Sequence, residues 1–299
     1  MFPVYGPATV TWFLMLLLYW GSLPFALALL WWARRRWQRP GAWRRTKALV
    51  VVVLAGLFID ARFIEPQLLT VRETRLGLGA PIKVALIADY HLGVYKGRGY
   101  LERVVDRLNQ LDVDAVLIAG DHTNSPDRPL DELLAPLARL RHPTYSVPGN
   151  HDESMPGPPL AKQLRDALIR HGVQPVEGRY LDAGRFIVVG LGDWTAHKDQ
   201  PIGLRQAPAD KPRLVLMHNP DSAMQLRPGS ALLALAGHTH CGQVRIPGLY
   251  RPMISTIHPF DRGLHTFAPV PTFVTCGLGE VKLPLRFLNP PVIDVLDLR

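Results

Sequence analysis

The chain has 299 residues, with 34 Lys and Arg against 25 Asp and Glu, a formal net charge of +9. Residues 1–64 hold eight of those basic residues and one acid, Asp60, leaving 26 basic against 24 acidic residues in the remainder. The excess is therefore an N-terminal cluster beside apolar sequence, a pattern suited to anionic lipid heads, and it excludes the basic stripe of a nucleic-acid groove.

Thr9 to Ala33 is apolar and uncharged, longer than the roughly 20 residues that cross a bilayer. Trp12, Tyr19, Trp20, Trp31 and Trp32 put aromatic rings near both expected interfaces. The arginines follow this run instead of preceding it, so it reads as a retained transmembrane helix at about 9–33 and not as a cleaved signal peptide. Residues 34–47 form a basic loop, which the positive-inside rule places in the cytoplasm. A second apolar run, Ala48 to Ile59, continues weakly to Ile64 past Asp60 and Arg62. It reads as a second crossing with Lys47 and Arg62 snorkelling, as an interfacial helix, or as a buried helix of the following domain. A crossing would put the rest of the chain on the periplasmic face of a bacterial inner membrane; an interfacial helix would leave it in the cytoplasm. The expectation leans to the crossing. The chain thus divides into an anchor, 1–64, and a catalytic domain, 65–299.

Beyond the anchor, strands and helices alternate. Leu68 to Leu76 reads as an edge strand, and Val84 to Ala88, Ala115 to Ala119, Tyr145 to Val147, Leu214 to Met217 and Leu232 to Ala236 as buried strands. Phe186 to Gly190, Phe273 to Cys276 and Val292 to Leu298 are further strands. Helical spacing predicts helices over Gly99 to Leu111, Leu130 to Leu140 (kinked at Pro136) and Leu160 to His171. Met155-Pro156-Gly157-Pro158-Pro159 is a candidate flexible rim. Such alternation implies an α/β fold with sheets covered by helices.

Five polar motifs each follow one of the buried strands: Asp89-Tyr90-His91, Gly120-Asp121, Gly149-Asn150-His151-Asp152, His218 and Gly237-His238-Thr239-His240. They therefore lie on loops past the carboxyl ends of strands, where open α/β sheets place their ligands. Asp89, His91, Asp121, Asn150, His218, His238 and His240 together make the donor set of a site for two divalent metal ions. Mixed oxygen and imidazole donors suit Mn, Fe, Zn or Co more than Ca. No Gly-x-Ser-x-Gly elbow and no phosphate-binding P-loop is present. Two cysteines are too few for a disulfide framework; Cys241 reads as a small packing residue beside the ligand pair, or as a metal-proximal thiol.

In this motif order the chain resembles the calcineurin-like metallophosphoesterases, and within them the membrane-associated bacterial YkuE/YaeI-type branch. His238 to Val244, Gly277-Leu278-Gly279 and Leu283-Pro284-Leu285-Arg286 are similar to that branch in particular. The resemblance implies a four-layer α-β-β-α sandwich of two stacked mixed sheets flanked by helices, with the N-terminal transmembrane segment or segments outside it. It implies that Asp121 bridges the metals, with Asp89, His91 and His240 on one and Asn150, His218 and His238 on the other. A metal-activated water would attack a phosphodiester or pyrophosphate bond. His151 would be catalytic, contacting phosphoryl oxygens or protonating the leaving group, and Asp152 would orient it or cap the turn.

Two departures stand out. Asp121 is followed by His122-Thr123-Asn124, where relatives commonly carry a second Asp, and Pro290-Pro291-Val292 replaces a Pro-Glu pair. Arg286 reads as a phosphate contact or a surface ion pair. His142, His171, His197, His258 and His265 match no ligand position. The substrates that the resemblance admits include a lipid-linked pyrophosphate such as UDP-2,3-diacylglucosamine and simpler diesters. An amide-cleaving metallohydrolase and a catalytically inactive membrane scaffold are the rival readings, and the Asn donor and final His-x-His favour phosphate chemistry over the first.

Overall fold

A computed structural model describes residues 9–153 and 160–299. The segment Met155 to Pro159 lies outside the described residues. Two six-stranded sheets carry the fold. The first runs in the order Thr70–Arg75, Val292–Asp297, Lys83–Ile87, Ala115–Ala119, Thr144–Val147, Gln174–Pro175. The second runs Gly263–His265, Thr272–Val274, Leu233–Ala236, Arg213–Leu216, Ile187–Gly190, Tyr180–Asp182. Both are mixed, with the Lys83–Ile87 strand parallel to Ala115–Ala119 and antiparallel to Val292–Asp297.

Side-chain parity explains the layers. In a strand, neighbouring residues face opposite ways, so both faces of a doubly covered sheet must be apolar. Val84, Leu86, Leu117 and Leu296 of the first sheet meet Val188, Leu214, Leu216, Leu235 and Phe273 of the second between the sheets. Ala85, Ile87, Val116 and Ile118 face outward onto Leu101, Val104, Val105 and Leu108 of the Arg98–Leu108 helix and onto Leu164 and Leu168 of the Ala161–Arg170 helix. The outer face of the second sheet (Val189, Val215, Ala234, Ala236) is covered by the short helices Ile202–Gln206 and Pro220–Gln225 through Leu204 and Ala223. The order helix, sheet, sheet, helix is the predicted four-layer sandwich. Pro136 ends the α-helix Leu130–Leu134, and a 3-10 turn, Ala135–Arg139, continues it.

The N-terminal part is a helical hairpin. Thr9–Trp37 and Ala42–Ile59 are α-helices that pack together. Ala26 and Ala33 of the first and Ala48 and Ala55 of the second are buried, each pair seven residues apart. Small residues at that spacing let two helix backbones approach closely, as in membrane helix pairs, and Phe25 meets Phe58 edge-on beside them. The flanking Leu23, Leu27, Leu49, Val53 and Leu54 are exposed. The connection is only residues 38–41, so Arg34, Arg35 and Arg36 lie in the last turn of one helix, and Arg44, Arg45 and Lys47 lie on the other, instead of in a loop. Arg35, Arg36 and Lys47 lie over Trp31, Trp32 and Trp43. The stretch Trp12–Trp37 is long and apolar enough to cross a membrane.

Candidate metal centre

All seven predicted donors converge at the carboxyl ends of strands from both sheets. Asp89 and His91 follow Lys83–Ile87, Asp121 follows Ala115–Ala119, and Asn150 follows Thr144–Val147. His218 and His238 follow the central strands of the second sheet, and His240 stands two residues on. His91 Nε2 lies 3.0 Å from His240 Nε2, and His240 Nε2 lies 3.5 Å from Asp89 Oδ1. On the other side His218 Nε2 lies 3.1 Å from Asn150 Oδ1 and 3.1 Å from His238 Nδ1. One oxygen, Asp121 Oδ2, stands between the two sets, 3.5 Å from His91 Nε2 and 3.3 Å from His218 Nε2.

These spacings fit metal ions. Imidazole nitrogens and carboxamide and carboxylate oxygens, all potential ligand atoms, crowd together at 3.0–3.5 Å. Asp89, His91 and His240 form one cluster and Asp89, Asp121 and His218 another, with donor atoms within 4.8 Å of one another. The backbone is shaped to the same end. Asp89, His91, Asp121, His238 and His240 all have φ between 45° and 67°, a left-handed conformation that costs non-glycine residues about 1 kcal/mol or more each. Gly149 makes room: a Cβ there would sit 2.2 Å from Asp121 Oδ1.

Around the donors sits a supporting layer. His218 Nδ1 donates to the Ala119 carbonyl at 2.8 Å, which leaves Nε2 free to coordinate. The Asp152 carboxylate is fully buried and accepts from the backbone N–H groups of Gly149, His122 and Thr123. It also accepts from His122 Nδ1 at 3.0 Å, and His122 Nε2 meets the Ser146 hydroxyl at 2.7 Å. Asp152 thus spends its oxygens on tying the Asn150 loop to the Asp121 loop. His122, the departure from the common motif, is part of that tie and not a surface residue.

Arg286 is likewise buried, contrary to both readings of it as a phosphate contact or a surface pair. Its guanidinium donates to the carbonyls of Cys276, Gly279 and Asn289. That clamps the Gly277–Gly279 turn under Asp89, where Leu278 N–H donates to the Ala88 carbonyl. The cysteines also require a correction: Cys241 and Cys276 form a disulfide. It joins the loop just past His240 to the end of the adjacent Thr272–Val274 strand. A single clip between two loops needs no framework, and a separation of 35 residues hides it from the sequence. Asp193, past the end of Ile187–Gly190, is a further buried carboxylate that the five motifs do not include. Burial raises its carboxyl while the nearby His218 pulls it back. The rule that found the other motifs, a polar residue after a buried strand, would have found it.

Burial pushes the Asp89 carboxyl up to about 7, His91 down to about 3 and His238 down to about 4. Burial and then His91 drive His240 well below the usual imidazole range. For Asp121 and His218 burial acts against the charged forms, but their attraction prevails. Asp121 is held well below the carboxylate range and His218 is pushed up to about 10. Three imidazoles are therefore already in the neutral, coordinating form, while His218 carries a proton that coordination must remove. Loading the metal-free chain with Mn²⁺ near neutral pH is expected to release between about one and two protons per chain, one from His218 and a part from Asp89, and closer to two as pH falls. Calorimetric titration in buffers of different ionisation heat reads this directly; identical heats in every buffer would contradict it.

Pro252, Met253, Ser255, Val281, Lys282 and Leu283 line a cavity of about 440 Å³ with Asp121, Asn150, His151, His238 and His240. His151 is only half-buried, and its ring meets His91 edge-on with centroids 4.8 Å apart. Its ring nitrogen also comes within 4.8 Å of donors on His91 and Asp121.

Residues 82–242 match the family described as calcineurin-like phosphoesterase. An uncharacterized metallophosphoesterase of Helicobacter pylori is 28% identical over 244 residues, covering 74% of this chain and 60% of that protein's length. The metallophosphoesterase YkuE of Bacillus subtilis is 27% identical over 256 residues, covering 80% of this chain and 88% of its own. The phosphodiesterase YaeI of Escherichia coli is 28% identical over 228 residues, covering 73% and 83%. The family match takes in more than half of the chain, including the Asp89, Asp121, Asn150, His218 and His238-Thr239-His240 positions whose side chains converge here, and the chain belongs to the calcineurin-like phosphoesterase family.

Proposed function

We propose that this metal-dependent phosphoester hydrolase is a membrane-anchored two-metal enzyme that cleaves a phosphodiester or pyrophosphate bond in an amphiphilic substrate on the periplasmic face of the inner membrane. The observation that carries the two-metal reading is the position of Asp121 Oδ2 between the His91 and His218 nitrogens. Bound metals would acidify a water for attack on phosphorus and neutralise the phosphoryl oxygens. Asp121 supplies the charge that lets two cations share one site. Asn150 supplies a neutral oxygen, which keeps the site from repelling a phosphate anion. His151 faces the cavity and donates to a phosphoryl oxygen or to the leaving oxygen. Asp152, His122 and Ser146 hold the His151 loop in place.

Three features support the anchor and its sidedness. Arg62, which a crossing was expected to leave snorkelling, is instead buried and turned away from lipid. Its Nε donates to Ser22 Oγ at 3.0 Å and its guanidinium covers the Tyr19 ring. The basic residues gather at the turn of the hairpin, which the positive-inside rule places in the cytoplasm. The disulfide suits an oxidising compartment. A nucleotide-linked lipid would be met on the other face, so a broader phosphodiester substrate is favoured.

The full chain, purified in detergent and loaded with Mn²⁺, is expected to turn over bis-p-nitrophenyl phosphate faster than p-nitrophenyl phosphate. Activity on the monoester alone would overturn the diester reading. Protease added to intact spheroplasts should degrade the catalytic domain. Protection until lysis, with release of UMP from a UDP-linked diacyl sugar, would move the enzyme to the cytoplasmic face.

A further inference from the structure

One wall of the cavity is built from two segments that are laced together. The Gln243 side-chain amide donates to the carbonyls of Val281 and Leu283, and Val281 N–H donates back to Gln243 Oε1. Arg245 N–H donates to the Phe287 carbonyl. These segments carry Ile246, Leu249 and Leu288 outside the cavity lining and Met253 and Leu283 within it, each 41–68% exposed. Residues 241–260 and 281–293 contain no Asp or Glu. The exposed charges among them are cations, Arg251 and Lys282. Scattered exposed apolar residues are ordinary, but an acid-free rim of them flanked by cations beside a site is the chemistry of an anionic lipid surface.

The rim is also bonded to the base of the hairpin. Arg286 N–H donates to the Ala61 carbonyl at 2.8 Å, and Leu288 N–H to Glu65 Oε2 at 2.8 Å, both just past the second helix. On the other side Tyr95 donates its hydroxyl to the Lys282 carbonyl at 2.9 Å, and its ring stacks on Tyr19 of the first helix at 5.9 Å. Tyr19 is the residue that Arg62 covers. Both edges of the rim therefore meet the hairpin at one level, near Tyr19 and Arg62, where the second helix ends while the first continues to Thr9.

We propose that this rim rests in the lipid surface of the bilayer that the hairpin crosses, so that the metal cavity opens directly onto the membrane and meets phosphoester headgroups there. The inference rests on the anchored reading above. It makes Leu249 and Leu288 lipid contacts and Lys282 and Arg251 contacts for anionic heads. Substrates dissolved in water would then have to approach the cavity past the bilayer surface.

The two native cysteines are paired, so an added cysteine is the free thiol for labelling. The full chain would carry an environment-sensitive fluorophore at Leu249→Cys or Leu288→Cys on the rim. A label at Leu27→Cys reports the hairpin, and one at Arg227→Cys reports the opposite end of the strands. Each is reconstituted into vesicles of phosphatidylethanolamine and phosphatidylglycerol with and without nitroxide-labelled lipid. The rim and hairpin labels are expected to be quenched several-fold more than the Arg227 label and to emit at shorter wavelength. Quenching at Leu27 alone, with both rim labels as wet as Arg227, would overturn the inference and leave the anchor standing; rim labels shielded from aqueous quencher but untouched by nitroxide lipid would also overturn it, in favour of a protein occupant. If all four labels are wet, the anchored reading fails and the inference with it.

Discussion

Asp121→Asn is expected to strip the site of its paired metals and to lower the rate by about 10³ or more. The substitution is nearly isosteric, so the fold should survive, but it removes the charge that two neighbouring cations would share under the proposed two-metal reading. In the metal-free chain it also deprives the His218 imidazolium of its partner, since Asp121 Oδ2 is 3.3 Å from His218 Nε2. The loss should therefore appear first in metal content, read by elemental analysis of the purified variant, and only through it in turnover. Two tightly retained ions per chain would show that Asp121 is not the bridge.

His151→Ala should separate chemistry from metal binding. Metal content is expected to stay near that of the parent, and the rate to fall by about 10² to 10⁴, the usual worth of a positioned acid or donor. If the imidazole protonates the leaving group, the loss shrinks for p-nitrophenolate and grows for an alkoxide. An equal loss for both would assign His151 to phosphoryl contact. Loss of a metal would make it a ligand, which its approach to His91 and Asp121 also allows sterically.

The sequence made the sandwich and the donors legible for one physical reason. Buried strands of a doubly covered sheet are unbroken apolar runs, so the first polar residue after each run marks the sheet edge where a site is built. Val84 to Ala88 before Asp89 and Leu232 to Ala236 before Gly237 show the rule, and Asp193 after Ile187–Gly190 shows where it went unapplied. What stayed hidden depends on contacts between distant segments. The Cys241–Cys276 bond, the Arg286 clamp and the His122–Asp152–Ser146 tie each join loops that no local pattern relates. The left-handed backbone at five donors is equally silent in sequence, because Asp and His give no sign of a conformation that their surroundings impose. The hairpin was half legible. Its apolar runs stood out, but the contacts of Arg62 with Tyr19 and Ser22, 40 residues or more away, left no local sign.

The most direct test is metal titration of the stripped full chain, with ion content and bis-p-nitrophenyl phosphate turnover followed together. Activity is expected to appear as the second equivalent of Mn²⁺ binds and to vanish on chelation. Full turnover with one ion per chain, or turnover indifferent to chelator, would contradict the two-metal reading.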